Sequence, residues 1–338
     1  MSEVDRREFL KGAGFAAAAA SAPTAASAAI ARPPKQMPPQ AVGMLYDSTL
    51  CIGCKACVAA CKVANNMPPD IPQDLRGWNE TTWDTPEDLS GRTLNVIKVY
   101  RNGTVELKDH EINGFAFVKR HCLHCVDPSC ISVCPVGAMQ KDAVSGIVTH
   151  DPDLCIGCRY CVYGCPFGVP QYDFNNPFGK IAKCQFCVHL QKEGKIPACC
   201  DVCPTGASLF GTVKELEQEI ERRLAAPAGT PYQFPRGRLG EDRPPNAASI
   251  PSYVKAVYGE HEAGSTQVRY LAGVPFTKLG LPAVGSQAPA TLTEGMQHTL
   301  YHWLIAPLIA FVGFAFLARR NMPRNGADEA PESKGGRP

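Results

Sequence analysis

The sequence has almost no excess of charge and little room for long helices or strands. Lys and Arg number 34 against 32 Asp and Glu, so no charge excess argues for a nucleic-acid partner. Thirty glycines and 30 prolines among 338 residues interrupt regular structure, and only 45% of the residues are apolar. These absences exclude a protein built mainly from long regular elements and predict a domain rich in loops.

Cysteine is absent outside residues 51–203, and within that span 17 cysteines form four tight groups. At about 5% of the chain, they are less dense than in small disulfide scaffolds. This clustering indicates metal ligation.

Sixteen of the cysteines follow related spacings. Group one is Cys51, Cys54, Cys57 and Cys61; group two is Cys122, Cys125, Cys130 and Cys134; group three is Cys155, Cys158, Cys161 and Cys165; group four is Cys184, Cys187, Cys199 and Cys203. Three closely spaced thiolates can bind one [4Fe–4S] cluster, and in two-cluster ferredoxins the fourth cysteine of such a run ligates the other cluster. The spacing therefore predicts iron–sulfur clusters that are held in pairs.

Zinc and disulfides are the alternatives to iron–sulfur clusters. Zinc sites usually use two Cys-x2-Cys pairs rather than three cysteines with a displaced fourth. Cysteines three residues apart rarely reach disulfide geometry, and an odd total leaves one thiol over. We take Cys199 rather than Cys200 as a ligand, because only Cys199 reproduces the interval to the last cysteine that the other groups share.

Small and polar residues beside the cysteines suit such loops. Gly53 and Gly157 precede the second cysteine of groups one and three, where glycine permits unusual backbone angles and lets amide hydrogens approach sulfur. Ordinary turn glycines are the alternative. His121 and His124 flank Cys122 and are expected to neighbour the sulfur atoms rather than to bind iron directly.

Internal repetition predicts the fold class. Groups one and three both begin Leu-Cys-Ile-Gly-Cys, and Cys-Pro-x-Gly-Ala recurs from Cys134 and from Cys203. We expect an α+β fold of tandem, pseudo-symmetric, bacterial ferredoxin-like modules. Residues 62–120 are an expected insertion with a hairpin, in which Asn102-Gly103 forms the turn between 94–100 and 104–107.

The sequence after the last cysteine predicts a helix and an arm. Thr212 can cap a helix over 213–226, whose apolar stripe of Val213, Leu216, Ile220 and Leu224 would dock on the cluster domain. Residues 227–297 are rich in Pro, Gly and Ala without a sustained period. We expect an extended arm there that wraps a partner, with simple disorder as the alternative.

Both termini carry targeting signals. Residues 1–28 resemble a twin-arginine signal peptide, with Arg6 and Arg7 ahead of an Ala-rich run, although Asp5 departs from the usual Ser or Thr. A disordered Ala-rich tail is the alternative.

Residues 300–318 contain no charge and are long enough to cross a membrane, with a buried soluble helix as the alternative. Arg319 and Arg320 follow, so the tail 319–338 is expected in the cytoplasm.

Residues 43–213 resemble the four-cluster ferredoxin-type subunits of bacterial respiratory oxidoreductases. Several segments resemble, within that family, the exported, membrane-anchored iron–sulfur subunits of [NiFe] hydrogenase-2: Gly43–Cys51, His124–Pro128, Tyr172–Gly179, Gly264–Val268, Gly273–Pro275 and Gln297–Tyr301. The resemblance implies an electron-transfer protein with no catalytic residues of its own.

The resemblance also implies how the groups share ligands, group one with four and group two with three. Four [4Fe–4S] clusters would then be bound at four cluster sites: site 1, Cys51, Cys54, Cys57 and Cys203; site 2, Cys61, Cys184, Cys187 and Cys199; site 3, Cys122, Cys125, Cys130 and Cys165; site 4, Cys134, Cys155, Cys158 and Cys161.

The implied partners are the small and large subunits of a periplasmic [NiFe] hydrogenase and a polytopic, quinone-reactive membrane subunit, in anaerobic respiration. The implied location is the periplasmic face of the inner membrane. An alternative with the same electron-transfer role is that the chain is the iron–sulfur beta subunit of a molybdopterin oxidoreductase. That enzyme would be a formate dehydrogenase or a sulfur- or nitrogen-oxide reductase. A structural zinc scaffold or assembly adaptor is the alternative of another class.

Overall fold

The computed structural model describes residues 31–69, 86–174, 176 and 179–321. The expected signal peptide, 1–28, and residues 322–338 of the expected tail lie outside this range. The strands are β1 Val42–Asp47, β2 Val96–Arg101, β3 Leu107–Lys108, β4 Gly114–Arg120, β5 Met139–Lys141, β6 Val148–His150, β7 Gln171–Tyr172, β8 Ile181–Ala182, β9 Ser208–Thr212, β10 Pro231–Phe234, β11 Gly237–Arg238, β12 Asn246–Ser249 and β13 Val268–Leu271. The α-helices are α1 Ala56–Ala64, α2 Ser129–Ser132, α3 Tyr160–Gly164, α4 Val188–Lys192, α5 Ala198–Asp201, α6 Val213–Ala225 and α7 Pro289–Asn321, and a 3₁₀ turn spans Glu262–Gly264.

The main sheet has the strand order β11-β9-β1-β13. Strand β1 pairs antiparallel with β9 and parallel with β13. Because Tyr46 lies opposite Ser208, the end of β1 adjoins the start of β9. Group one follows β1 and group four precedes β9, so this pairing brings the two groups to the same end of the sheet.

A second pair of strands does the same for groups two and three. Strands β5 and β6 pair antiparallel, with Met139 opposite His150. Group two precedes β5 and group three follows β6. Helix α2 packs against α3, as α1 packs against α5, so each pair of groups is also joined by helix contacts.

The cysteines are part of the hydrophobic core rather than attached to its surface. The largest buried cluster combines Met44, Tyr46, Phe210 and Tyr270 of the main sheet with cysteines of groups one, two and four. The rings of Tyr46 and Tyr270 meet edge to face, with centroids 5.5 Å apart. Burial of the cysteine loops therefore forms the core and the candidate site together.

The hairpin in the insertion differs from the predicted one. Strand β2 pairs with β4 and not with residues 104–107. The hydrogen bond from Asn102 N–H to the Gly114 carbonyl extends this pairing. Strand β4 carries apolar residues that reach the core, including the buried Ala116 and Val118. Burial of this second apolar strand decides the pairing, and the short segment β3 adds to the other edge of β4.

The prediction of an extended arm over 227–297 is wrong. This segment supplies β11 and β13 to the main sheet and forms the pair β10–β12. Val268, Tyr270 and Ile250 are buried in the core. The segment lacks a sustained period because its strands are short and pair with distant parts of the chain, so the domain extends well beyond residue 213.

Helix α6 begins with a capping box in which Thr212 Oγ1 accepts from Glu215 N–H at 3.3 Å and Glu215 Oε2 accepts from Thr212 N–H at 3.0 Å. Leu216 and Ile220 are buried as expected, but Leu224 is 38% exposed.

Helix α7 has 33 residues and begins earlier than the expected 300–318. It is the one helix in the described part of the chain that is long and apolar enough to cross a membrane.

Candidate metal centre

None of the 17 cysteines forms a disulfide. Two cavities are each lined by one complete set of four expected ligands. One is lined by the cysteines of site 2, with Asn95 and His121, and the other by those of site 4, with His150 and Ile181. Each set combines three cysteines of one group with one cysteine of another. Among the described residues, no group of three or more His, Cys, Asp or Glu is arranged around a single metal ion.

The cysteines of sites 1 and 3 are also drawn together. Burial raises the pKa of Cys57 to about 12, with further contributions from Cys51 and Cys203. Burial raises the pKa of Cys125, and its neighbours Cys122, Cys165 and Cys130 raise it further. Cys54 lies in the group one loop with its side chain exposed. The structure thus brings distant groups together at sites 1 and 3, as it does at the two cavities.

The residue before the second cysteine adopts a left-handed backbone conformation in all four groups. Its φ is 68° at Gly53, 49° at His124, 70° at Gly157 and 55° at Phe186. Glycine adopts such angles without strain, whereas His and Phe do not. The common conformation at four positions belongs to the first Cys-x2-Cys of each group, which the sequence marks with glycine in only two loops.

This conformation turns backbone amides toward sulfur. Gly53 N–H donates to Cys51 Sγ at 3.5 Å, and Phe186 N–H donates to Cys184 Sγ at 3.4 Å. Asn65 Nδ2 donates to Cys61 Sγ at 3.6 Å. Hydrogen bonds to sulfur are among the features that set the reduction potential of an iron–sulfur cluster.

Without a bound metal the buried thiols resist ionisation, because burial disfavours the charged thiolate. Burial raises the pKa of Cys61 and Cys130 to about 12, and that of Cys161 to about 11. Positive metal ions reverse this preference and bind the thiols as thiolates. Four cysteine ligands per site are the donor set of a [4Fe–4S] cluster.

The adjacent thiols Cys199 and Cys200 differ. A hydrogen bond from Cys200 lowers the pKa of Cys199, whereas burial raises the pKa of Cys200. Cys199 lines the cavity of site 2, and Cys200 is fully buried in the core.

Histidines at the cavities have unsatisfied nitrogen atoms. Within the described residues, Nε2 of His121 and Nε2 of His150 are buried without a hydrogen-bond partner, and these side chains line the cavities of sites 2 and 4. Nε2 of His124 is likewise unpartnered, while its Nδ1 accepts from Val148 N–H at 3.0 Å. Buried polar atoms normally have hydrogen-bond partners. A group bound in each cavity would supply the missing partner of His121 Nε2 and of His150 Nε2.

Sequence reasoning missed the buried lysines. Lys119 and Lys183 are 0% and 3% exposed, and Lys141 is partly buried. All three affect the ionisation of nearby groups at the cysteine loops, Lys119 that of Cys57 and Lys183 that of Cys130. A lysine inside a strand is ordinarily read as solvated, and Lys119 is buried because both faces of β4 are covered, with Phe117 on its own face and Val118 on the other.

Burial is the largest cause of the raised pKa at Cys57, Cys184 and Cys130, and a thiol of another site adds to it: Cys199 at Cys57, Cys122 at Cys184 and Cys161 at Cys130. Exposed cysteines occur only at sites 1 and 4, at Cys54 and Cys158.

Comparisons with known proteins agree with an iron–sulfur centre. A family described as "4Fe-4S dicluster domain" matches residues 114–213. The chain is similar to the hydrogenase-2 operon protein HybA of Escherichia coli O157:H7, with 44% identity over 94% of this chain and 96% of that protein. It is 36% identical to the iron–sulfur subunit of the nitrate-inducible formate dehydrogenase of Escherichia coli (strain K12), over 54% of this chain and 58% of that subunit. Protein NrfC of the same strain is 36% identical over 65% of this chain and 85% of its own length.

These similarities confirm that the cysteines hold multiple [4Fe–4S] clusters in a ferredoxin-type domain of mixed helices and strands. The alternative of a structural zinc scaffold is wrong, because the matched domain is one that binds iron–sulfur clusters.

Proposed function

The chain belongs to the family of the hydrogenase-2 operon protein HybA, and we propose that it passes electrons through four [4Fe–4S] clusters between a periplasmic [NiFe] hydrogenase and a quinone-reactive membrane subunit. It is an electron-transfer iron–sulfur protein and not itself a catalytic enzyme. The number of clusters, their ligands and the partners are the proposed parts.

One observation carries the proposal of four clusters. Three cysteines of one group meet the last cysteine of another group around a common cavity, as Cys61 meets group four and Cys134 meets group three. Such exchange of the fourth ligand is how two-cluster ferredoxins tie their loops together. We therefore assign the sixteen cysteines to sites 1 to 4 as the family resemblance implied.

Buried cysteines and backbone amide donors determine the environment of the proposed clusters. Each bound cluster would supply a centre that takes up and releases one electron. Cys61 and Cys199 are buried, which limits the access of water to site 2. Amide donors such as Gly53 N–H hold the sulfur ligands in place.

The proposed path runs from site 1 to site 4. Its ends lie where cysteine is exposed, and exposed apolar side chains surround both ends. Ile52 is 57% exposed beside Cys54, and Ile156 is 66% exposed beside Cys158. Apolar surface at an exposed ligand suits docking of an electron donor or acceptor. We propose that one partner docks at each end.

Helix α7 is the proposed membrane anchor. Its apolar side chains are exposed along the helix, including Trp303 at 71% and Phe314 at 78%. Arg319 and Arg320 end the helix, and a cytoplasmic position for these residues places the cluster domain in the periplasm. The expected twin-arginine signal in residues 1–28 supports the same location.

Iron and acid-labile sulfide per chain test the number of clusters. About sixteen irons per chain are expected for anaerobically purified protein, with cubane signals in the electron paramagnetic resonance (EPR) spectrum after reduction.

The matched variants Cys199→Ser and Cys200→Ser test the ligands. Cys199→Ser should lose about four irons or convert one cluster to a three-iron form, and Cys200→Ser should keep all of them. Loss of iron only in Cys200→Ser would overturn the choice of ligand.

Purification of the membrane complex through a tag on this chain tests the partners. A nickel–iron subunit that reduces the clusters under hydrogen is expected. Recovery of a molybdenum-containing subunit instead would favour the alternative, which the similarity to the formate dehydrogenase subunit supports over 54% of the chain. The match to the hydrogenase-2 operon protein includes most of the chain, and this is why we propose hydrogenase.

A further inference from the structure

Lys119 is a fully buried cation in the centre of the domain. It lies on β4 and is 0% exposed. Its Nζ donates to Ser208 Oγ at 3.1 Å and lies 3.8 Å from Met44 Sδ. In the part of the chain that the structure describes, no carboxylate forms an ion pair with it, and the Cys199 thiol is a further neighbour.

A buried ammonium with neutral partners is costly. Removing a charge from water costs several kcal/mol after relaxation, and buried charges are therefore normally paired. Two buried arginines of this domain follow that rule. Arg223 pairs with Asp47 at 2.9 Å, and Arg269 pairs with Glu217 at 2.8 Å. The position of Lys119 therefore requires negative charge from another source.

Thiolate ligands of clusters at two sites would provide that source. Ser208, which accepts from Lys119, begins β9 shortly after Cys203 of site 1. Lys119 also interacts electrostatically with Cys199 of site 2 and, less strongly, with Cys57 of site 1, and its charge acts on Cys61 and Cys187 of site 2. Helices α1 and α5, which carry Cys57 and Cys199, pack against each other, so the ammonium is close to the boundary between the two sites.

We propose that Lys119 is the buried counter-cation of sites 1 and 2, and that its charge raises the reduction potentials of the clusters there above the values they would have without it. This inference rests on the proposed function, because it takes clusters to be bound at these cysteines. An added electron makes a site more negative, and a fixed positive charge in a medium of low dielectric stabilises the reduced form. Lys119 acts through the electrostatics of the sites and is not a ligand.

The test is an EPR-monitored redox titration of the intact protein and its Lys119→Met variant. Methionine keeps most of the side-chain length and removes the charge. We expect one or two of the cluster signals to titrate at lower potential, by at least a tenfold change in the oxidised-to-reduced ratio, or about 59 mV for a one-electron couple. The remaining signals should stay in place. Lys195→Met is the matched control, because Lys195 is an exposed lysine that pairs with Glu193.

Each outcome bears on the proposal. Unchanged potentials with full iron content would overturn it, and so would an equal shift of all signals. If Lys119→Met loses iron, Lys119→Arg decides the matter: iron retained with arginine supports a role of the charge, and iron lost in both variants means that side-chain shape matters instead. The iron content of the unmodified protein is measured separately, so failure of the four-cluster assignment is distinguished from failure of this inference.

Discussion

Replacement of Arg223 by methionine should destabilise the domain strongly. Arg223 is 0% exposed, and its guanidinium donates to Asp47 Oδ2 and Glu219 Oε1, both at 2.9 Å. It also lies 4.9 Å from the centroid of the Phe234 ring. Asp47 ends β1 just before the group one loop, so this contact fixes helix α6 to the base of that loop.

The size of the effect follows from the charges that remain. Among the described residues, Glu219 keeps a partner in Arg222 at 2.7 Å, but the remaining donors to Asp47 are neutral, among them Tyr253 Oη at 2.6 Å. Breaking a buried pair by removing one partner costs about 3–5 kcal/mol. In a domain of this size, 1 kcal/mol lowers the melting temperature by about 2–4 °C. Arg223→Met should therefore lower it by about 6–20 °C.

Thermal loss of cluster absorbance at a fixed heating rate measures this change, because unfolding of a cluster protein is irreversible. Arg222→Met is the matched control: its side chain is 58% exposed, and a shift of at most about 2 °C is expected. In the Arg223→Met background, Asp47→Asn should recover part of the loss, since it removes the unpaired charge. A drop below about 3 °C, or no recovery in the double variant, would refute the reasoning.

Three further predictions concern the loops, the helix cap and the anchor. The Gly53→Ala variant should contain less iron, because φ is 68° at this position and the new Cβ would lie 2.4 Å from the Phe117 ring. Gly194→Ala is the control: φ is 78° there, but nothing lies within 4 Å of the new Cβ, so this variant has the backbone strain without the clash and should retain its iron. Thr212→Ala should reduce stability by about 1 kcal/mol through loss of the capping box, seen as a small drop in the melting temperature. Removal of residues 300–338 should release the protein from membranes, and continued tight sedimentation with membranes would contradict the proposed anchor.

The sequence predicted the cysteine chemistry well because that chemistry is local. Spacing within a group, such as Cys51 to Cys57, specifies a loop that can wrap a cluster without reference to the rest of the fold. The capped helix after Thr212 was predictable for the same reason, since the capping box and the apolar stripe lie within a few residues. The exchange of ligands between groups came from the family resemblance and not from spacing.

The pairing of the strands and the burial of the lysines depend on distant contacts and could not be predicted. Whether residues 104–107 or 114–120 pair with β2 is decided by burial of β4 against the core. Strand β13 is recognisable only from its parallel partner β1, more than two hundred residues earlier in the chain. Lys119 looks like an ordinary polar residue until β1, β9 and β13 enclose it.

This topology also constrains when the clusters can be inserted. Proposed site 1 combines Cys51 with Cys203, and β1, the first strand in the described part of the chain, lies between β9 and β13. Strand β1 therefore has no partner in the main sheet until β9 has been synthesised, and sites 1 and 2 cannot close before the group four loop is present. Non-local pairing of this kind is slow compared with local helix formation. Cluster insertion at sites 1 and 2 must then follow synthesis of the group four loop. A pathway that exports folded proteins, as the twin-arginine pattern in residues 1–28 predicts, is the one that is compatible with this order of events.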